Sequence, residues 1–134
     1  MAFDIHLACL NNGETNTFKR ALAQEILGRD SLDEEGALYY VVYKDGGSSC
    51  VYCSENEDLQ SMMFNHSGGD VFFERLWELA DRTGSMIFWP GYDVTTAVTR
   101  PEMLEHVPHH PETDPWAFVV RSGRELVKAM SQTS

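Results

Sequence analysis

The segment Ala37-Leu38-Tyr39-Tyr40-Val41-Val42-Tyr43, followed by Asp45-Gly46-Gly47-Ser48, limits most strongly what this chain can fold into. An unbroken run of apolar residues rich in Tyr and Val suits a strand buried on both faces. Asp-Gly just after such a run is a hairpin turn signal. Ser49 to Ser54 then reads as the returning strand. With a two- or four-residue loop, Tyr39, Val41 and Tyr43 share a face with Cys50 and Tyr52. Glu55, Asn56, Glu57 and Asp58 form a second polar turn, and Leu59 to Phe64 adds a third strand, giving a meander over about 37–64.

The flanking sequence supplies partners for that sheet. Residues 3–10 alternate, with Phe3, Ile5, Leu7 and Cys9 on one face, as in a half-buried strand. Phe18, Leu22 and Ile26 recur at helical spacing, predicting a helix over 15–27 that ends at Gly28. The stretch Asp30 to Glu35 reads as an acidic loop. Phe72, Phe73, Leu76, Trp77, Leu79 and Ala80 form the broad apolar stripe of a helix over 71–82, with Gly84 beyond it. Met86 to Trp89 and Thr95 to Val98 read as short strands around Pro90-Gly91. Thr99-Arg100-Pro101-Glu102 is a capping-box pattern opening a short helix through His106, and Trp116 to Val120 is a last strand. Ser122-Gly123-Arg124-Glu125 repeats the capping pattern ahead of a helix over 123–131. In 134 residues this order predicts a single α+β domain over 1–134, two-layered, with a mostly antiparallel sheet and helices mainly on one face.

Charge restricts the partners. The chain carries 10 Lys and Arg against 21 Asp and Glu, net -11. Residues 1–118 hold 7 basic and 20 acidic side chains, net -13, while 119–134 hold three basic and one acidic, net +2. Such a body repels phosphate backbones and anionic lipid, so no nucleic acid and no membrane is expected as partner. No apolar run approaches the roughly 20 residues of a membrane span, no secretory leader is legible at the N-terminus, and Cys9, Cys50 and Cys53 are an odd set. The expected compartment is cytoplasmic.

Several motifs have chemistry within reach. Glu102 and His106, four apart on a helix, followed by His109 and His110, form a candidate transition-metal set. Pro108 and Pro111 place the later histidines in an extended segment, and a solvated loop is the commoner role for such a stretch. Cys50-Val51-Tyr52-Cys53 has redox spacing, but on a strand residues three apart point to opposite faces, so the sulfurs should not meet. Ser67-Gly68-Gly69-Asp70 precedes a helix, where Ser67 or Asp70 can cap it. Trp89 and Tyr92 flank a turn, where exposed aromatics serve as anchors and buried ones close the core.

No set of residues assembles into a nucleophile, base and orienting group, and no cofactor is implied. The expected function is a protein-interaction module or stoichiometric, immunity-type inhibitor that takes a basic protein partner. Asp33, Glu34, Glu35, Glu55, Glu57 and Asp58 would supply attraction, and Trp89 and Tyr92 the apolar anchors. The alternatives are a metal-binding protein or metal-dependent enzyme using Glu102, His106, His109 and His110, and a small-ligand-binding domain with its pocket between the sheet and helix 71–82. A homodimer is compatible with each.

Overall fold

The computed structural model describes residues 4–11, 14–29, 32–35, 38–91, 95–107 and 117–133. In chain order these form β1 (Ile5–Asn11), β2 (Glu14–Thr15), β3 (Phe18–Lys19), α1 (Arg20–Leu27), β4 (Leu32–Glu35), β5 (Leu38–Val42), β6 (Ser48–Tyr52), β7 (Asp58–Leu59), β8 (Ser61–Asn65), α2 (Asp70–Thr83) and β9 (Ser85–Phe88). Then come β10 (Thr96–Val98), a 3-10 helix (Pro101–His106), β11 (Phe118–Val119) and α3 (Gly123–Thr133). The main sheet runs β11-β10-β9-β1-β8-β6-β5-β4, with β2 folded back on the end of β1, and β3 and β7 make a separate two-stranded ribbon. All pairings are antiparallel except β10 with β11. The expected α+β class and the meander are present. No helix among the described residues is long and apolar enough to cross a membrane.

Two elements differ from the sequence expectation. The helix predicted over 15–27 begins only at Arg20, because Phe18 is drawn into β3 opposite Leu59 and both side chains are buried there. The predicted acidic loop contains β4, which pairs with β5 and sets Asp33 opposite Tyr40 and Glu35 opposite Leu38. Leu-Asp-Glu-Glu has poor strand propensity, but an edge strand forms ladder bonds on one side only, and charge there discourages edge-to-edge association.

The hairpin register also departs from expectation. Tyr43 N–H donates to the Gly47 carbonyl at 2.8 Å and Gly46 N–H to the Tyr43 carbonyl at 2.9 Å, so Lys44, Asp45 and Gly46 form a three-residue loop. Gly46 has φ +86°, the left-handed conformation that such a loop requires at its last position. An odd loop reverses the parity: Tyr40 faces Cys50 and Tyr39 faces Val51. Tyr39, Val41, Tyr43 and Val51 enter the core, and Cys50 and Tyr52 point the other way.

The three α-helices lie on one face of the sheet. Phe72, Leu76 and Leu79 of α2 are fully buried against Ile5, Leu7, Phe64 and Val51, with Ala23, Ile26 and Leu27 of α1 and Leu126 and Met130 of α3 completing the cluster. Trp77 Nε1 donates to the Val120 carbonyl at 2.8 Å, fastening α2 to the segment between β11 and α3. At the far end of α1, Arg29 makes a paired contact with Glu78 of α2. Gly84 closes α2 in the left-handed conformation, as the sequence suggested.

The N-terminus of α2 is capped from another element. Neither Ser67 nor Asp70 has the expected capping role. Asp45, in the hairpin loop, accepts N–H bonds from Gly47 at 2.9 Å and from Val71 at 3.1 Å. Ser67 is instead buried, with its hydroxyl 2.7 Å from that of Ser49. Gly69, φ +95° and ψ 146°, lies so near the hairpin that a Cβ there would sit 2.8 Å from Gly47 Cα. Gly69→Ala therefore combines a backbone region almost confined to glycine with a backbone clash, and lowers unfolding stability by about 1–3 kcal/mol, read from the urea midpoint.

The bonds from Gly47 and Val71 hold the Asp45 carboxyl below the usual carboxylate range. A depressed folded pKa stabilises the fold above the unfolded value of about 3.9, and this contribution disappears as pH falls through the folded pKa. Denaturation midpoints of wild type and Asp45→Asn therefore differ at pH 7 and converge as pH falls below about 3.9; a constant gap down to pH 2 would remove this role for Asp45.

Candidate functional site

The sheet face away from the helices is unusually apolar. On β5, β6, β8, β1 and β9 the positions of this face include Tyr40, Val42, Cys50, Tyr52, Met63, His6, Ala8, Met86 and Phe88, and none of its positions on those strands is Lys, Arg, Asp or Glu. A water-facing side of an antiparallel sheet normally alternates to polar residues. Here the exposed large hydrophobics among the described residues, Tyr40 at 48%, Val42 at 38% and Tyr52 at 38%, all fall on two adjacent strands of this face.

Cross-strand pairing organises the face into a row. Tyr52 lies opposite Met63, Met63 opposite His6, and His6 opposite Phe88. The His6 imidazole stacks on the Phe88 ring at 4.9 Å between centroids, with 12° between planes. Beyond Phe88 the face is covered: Val98, Met103 and Val107 form a second buried cluster, with Met86, Leu104 and Val119 packed against it. The 3-10 helix thus roofs the β9–β10 end, while the β5–β6 end is open.

Between these ends is a cleft of about 590 Å³, within the size range of small-ligand sites. Its lining includes Tyr52, Met63 and His6, neighbours across the strands, and, from the segment after β6, Cys53, Asn56 and Asp58. Among the described residues no Lys or Arg contributes to its lining. The pocket expected between the sheet and α2 is, by contrast, filled by Phe64, Phe72, Leu76 and Leu79.

The sequence-selected residues fall in different places. Glu55 and Glu57 are exposed in the turn at the cleft's edge, and Asp58 is exposed in β7. Lys19 from β3 partly neutralises this group, 2.7 Å from Asp58 and 3.8 Å from Glu57. Solvent screening leaves exposed pairs of this kind with little effect on stability. Asp33, Glu34 and Glu35 belong to the edge strand beside Tyr40 rather than to a loop. Trp89 is only 2% exposed, so it closes the helix-side core and offers no anchor to a partner. Tyr92, His109 and His110 lie outside the described residues. Glu102 is exposed and His106 ends a 3-10 helix, whose three-residue turn rotates positions four apart away from each other; the shared helix face expected for this pair is absent. No group of three or more His, Cys, Asp or Glu suited to a metal occurs among the described residues.

Residue-by-residue reading missed Tyr40, Tyr52, Met63 and Phe88 as surface residues. Each looks like core in sequence, and only the strand register distinguishes them. No family model, curated protein or solved structure matches the chain.

The cysteines report on the two faces. Cys9 is buried among the helices, its Sγ donating to the Thr83 carbonyl at 3.2 Å, and burial pushes its thiol pKa up. Cys50 and Cys53 are both half-buried: Cys50 points to the open face, and Cys53, three residues on, packs against the core while also lining the cleft, so the two thiols diverge as the strand spacing predicts. Brief alkylation of the native protein, followed by peptide mass spectrometry, should modify Cys50 and Cys53 well before Cys9, which reacts only on unfolding. Equal rates at Cys9 and Cys50 would contradict the assignment of faces.

Proposed function

We propose that the chain is a protein-interaction module whose open sheet face receives a basic protein, as a stoichiometric or immunity-type inhibitor would. The observation that supports this reading is an uncharged aromatic and thioether face bordered by carboxylates on two sides. On β4, Asp33 and Glu35 hold the register positions opposite Tyr40 and Leu38 while Glu34 falls opposite inward-facing Tyr39, and the turn after β6 contributes Glu55 and Glu57. Exposed apolar patches rimmed by polar residues mark interaction surfaces. The division of labour is physical: carboxylates on a body of net -13 steer a cation-rich surface to the sheet, and desolvation of Tyr40, Val42 and Tyr52 then supplies most of the binding free energy.

The role first given to Trp89 passes to Tyr40 and Tyr52. Their rings combine a large apolar area with a hydroxyl that stays at the rim, as at interface hot spots generally. The test is capture of a basic protein from native extract at low salt, followed by association kinetics. Changing Glu55, Glu57 and Asp58 together to Lys should slow association by about tenfold or more and flatten its salt dependence. Reversing Arg121, just before α3, and Arg124, in its first turn, should leave capture intact. Equal capture by wild type and the triple variant at low salt would defeat the proposal.

A further inference from the structure

We infer that the cleft on the open face is a recess for an arginine side chain, presented by the basic partner; this rests on the interaction-module reading and specifies its chemistry. Its walls differ in a way that matches a guanidinium group. Tyr52, His6 and Met63 give a flat, polarisable side, and Asn56, Asp58 and Gln60 give hydrogen-bond acceptors. A guanidinium is planar and weakly hydrated, stacks on aromatic faces and directs five N–H donors outward from its edge. An ammonium is a strongly hydrated point charge that gains less from such a wall.

The electrostatic setting favours the same occupant. Among the described residues no Lys or Arg lines the cleft, and Glu55 and Glu57 flank Asn56 in the turn at its edge. Lys19 reaches Asp58 at Oδ1, but a carboxylate accepts through both oxygens, so that contact does not saturate it. At about 590 Å³ the space exceeds one guanidinium and admits the arginine stem, whose methylenes would lie along Met63.

The experiment uses the full chain and three small probes: Nα-acetyl-arginine amide, the lysine amide and the norleucine amide. Each is titrated while NMR follows the Met63 methyl and the His6 and Tyr52 rings. The arginine probe should give saturable shifts at these signals and bind about threefold or more tighter than the lysine probe, with no saturable shift from norleucine. Tyr52→Ala should weaken the arginine probe by about fivefold or more, Tyr52→Phe should retain it, and Asp58→Asn should weaken it without moving core methyl signals. Absence of saturable shifts from arginine, or equal binding of norleucine, overturns the inference. Salt-sensitive capture by the acidic turn would survive that result, so failure of the recess is distinguishable from failure of the module. Loss of capture alongside intact arginine binding would instead remove the module reading and, with it, the assignment of this recess to a partner.

Discussion

Lys44, Asp45 and Gly46 form a turn on which both layers of the molecule depend. Its odd length decides which residues of β5 and β6 enter the core. Its carboxylate caps α2, the helix that carries Phe72, Leu76 and Leu79 into the sheet. The backbone after the turn touches the backbone before α2, with Gly47 packed on Gly68 and Gly69 and the Ser49 and Ser67 hydroxyls bonded beneath. A helix N-terminus presents unsatisfied N–H groups, and meeting them from a hairpin locks layer to layer rather than residue to neighbour. Strand register and helix position are consequently one constraint.

That constraint creates the difference between the two sheet faces. Because side chains alternate with a period of two, placing Tyr39, Val41 and Val51 inward necessarily places Tyr40, Val42, Cys50 and Tyr52 outward. The same alternation carries through Met63 and His6 to Phe88. At the β10 end the chain covers its own apolar surface with Met103 and Val107. Thr99 and Arg100, bonded to Asp81 of α2, hold that covering segment at the sheet edge and keep the Asp81 carboxyl below the ordinary range. At the β5–β6 end the described residues provide no such cover, and the exposed aromatics lie beside the acidic strand and turn.

Much of this architecture is readable from residues alone. Helix α2 announces itself through apolar residues three and four apart and a following glycine, and β1 through strict alternation. Helix α3 is signalled by Ser122 and Glu125, which do bond the first turn and the residue before it, at 3.1 and 3.3 Å. These signals are local, so local chemistry is enough to find them. The shortened α1 and the acidic β4 are different in kind. Phe18 leaves its helical pattern to meet Leu59, and Leu-Asp-Glu-Glu becomes a strand because β5 offers it an open ladder.

Residue pattern and composition are enough to specify an α+β chain, a central hairpin followed by a third strand, an anchoring helix over the seventies and a strongly acidic body. Which side of the hairpin becomes surface depends on long-range packing. Seven apolar residues in succession carry no alternation from which to read facing, and Asp45-Gly46-Gly47 accommodates loops of either parity. Contact with α2 selects the odd one, through the Asp45 cap and the close approach of Gly47 to Gly69. A one-residue change in loop length exchanges every inward and outward side chain, so the cleft and its aromatic wall follow from packing that no local pattern encodes.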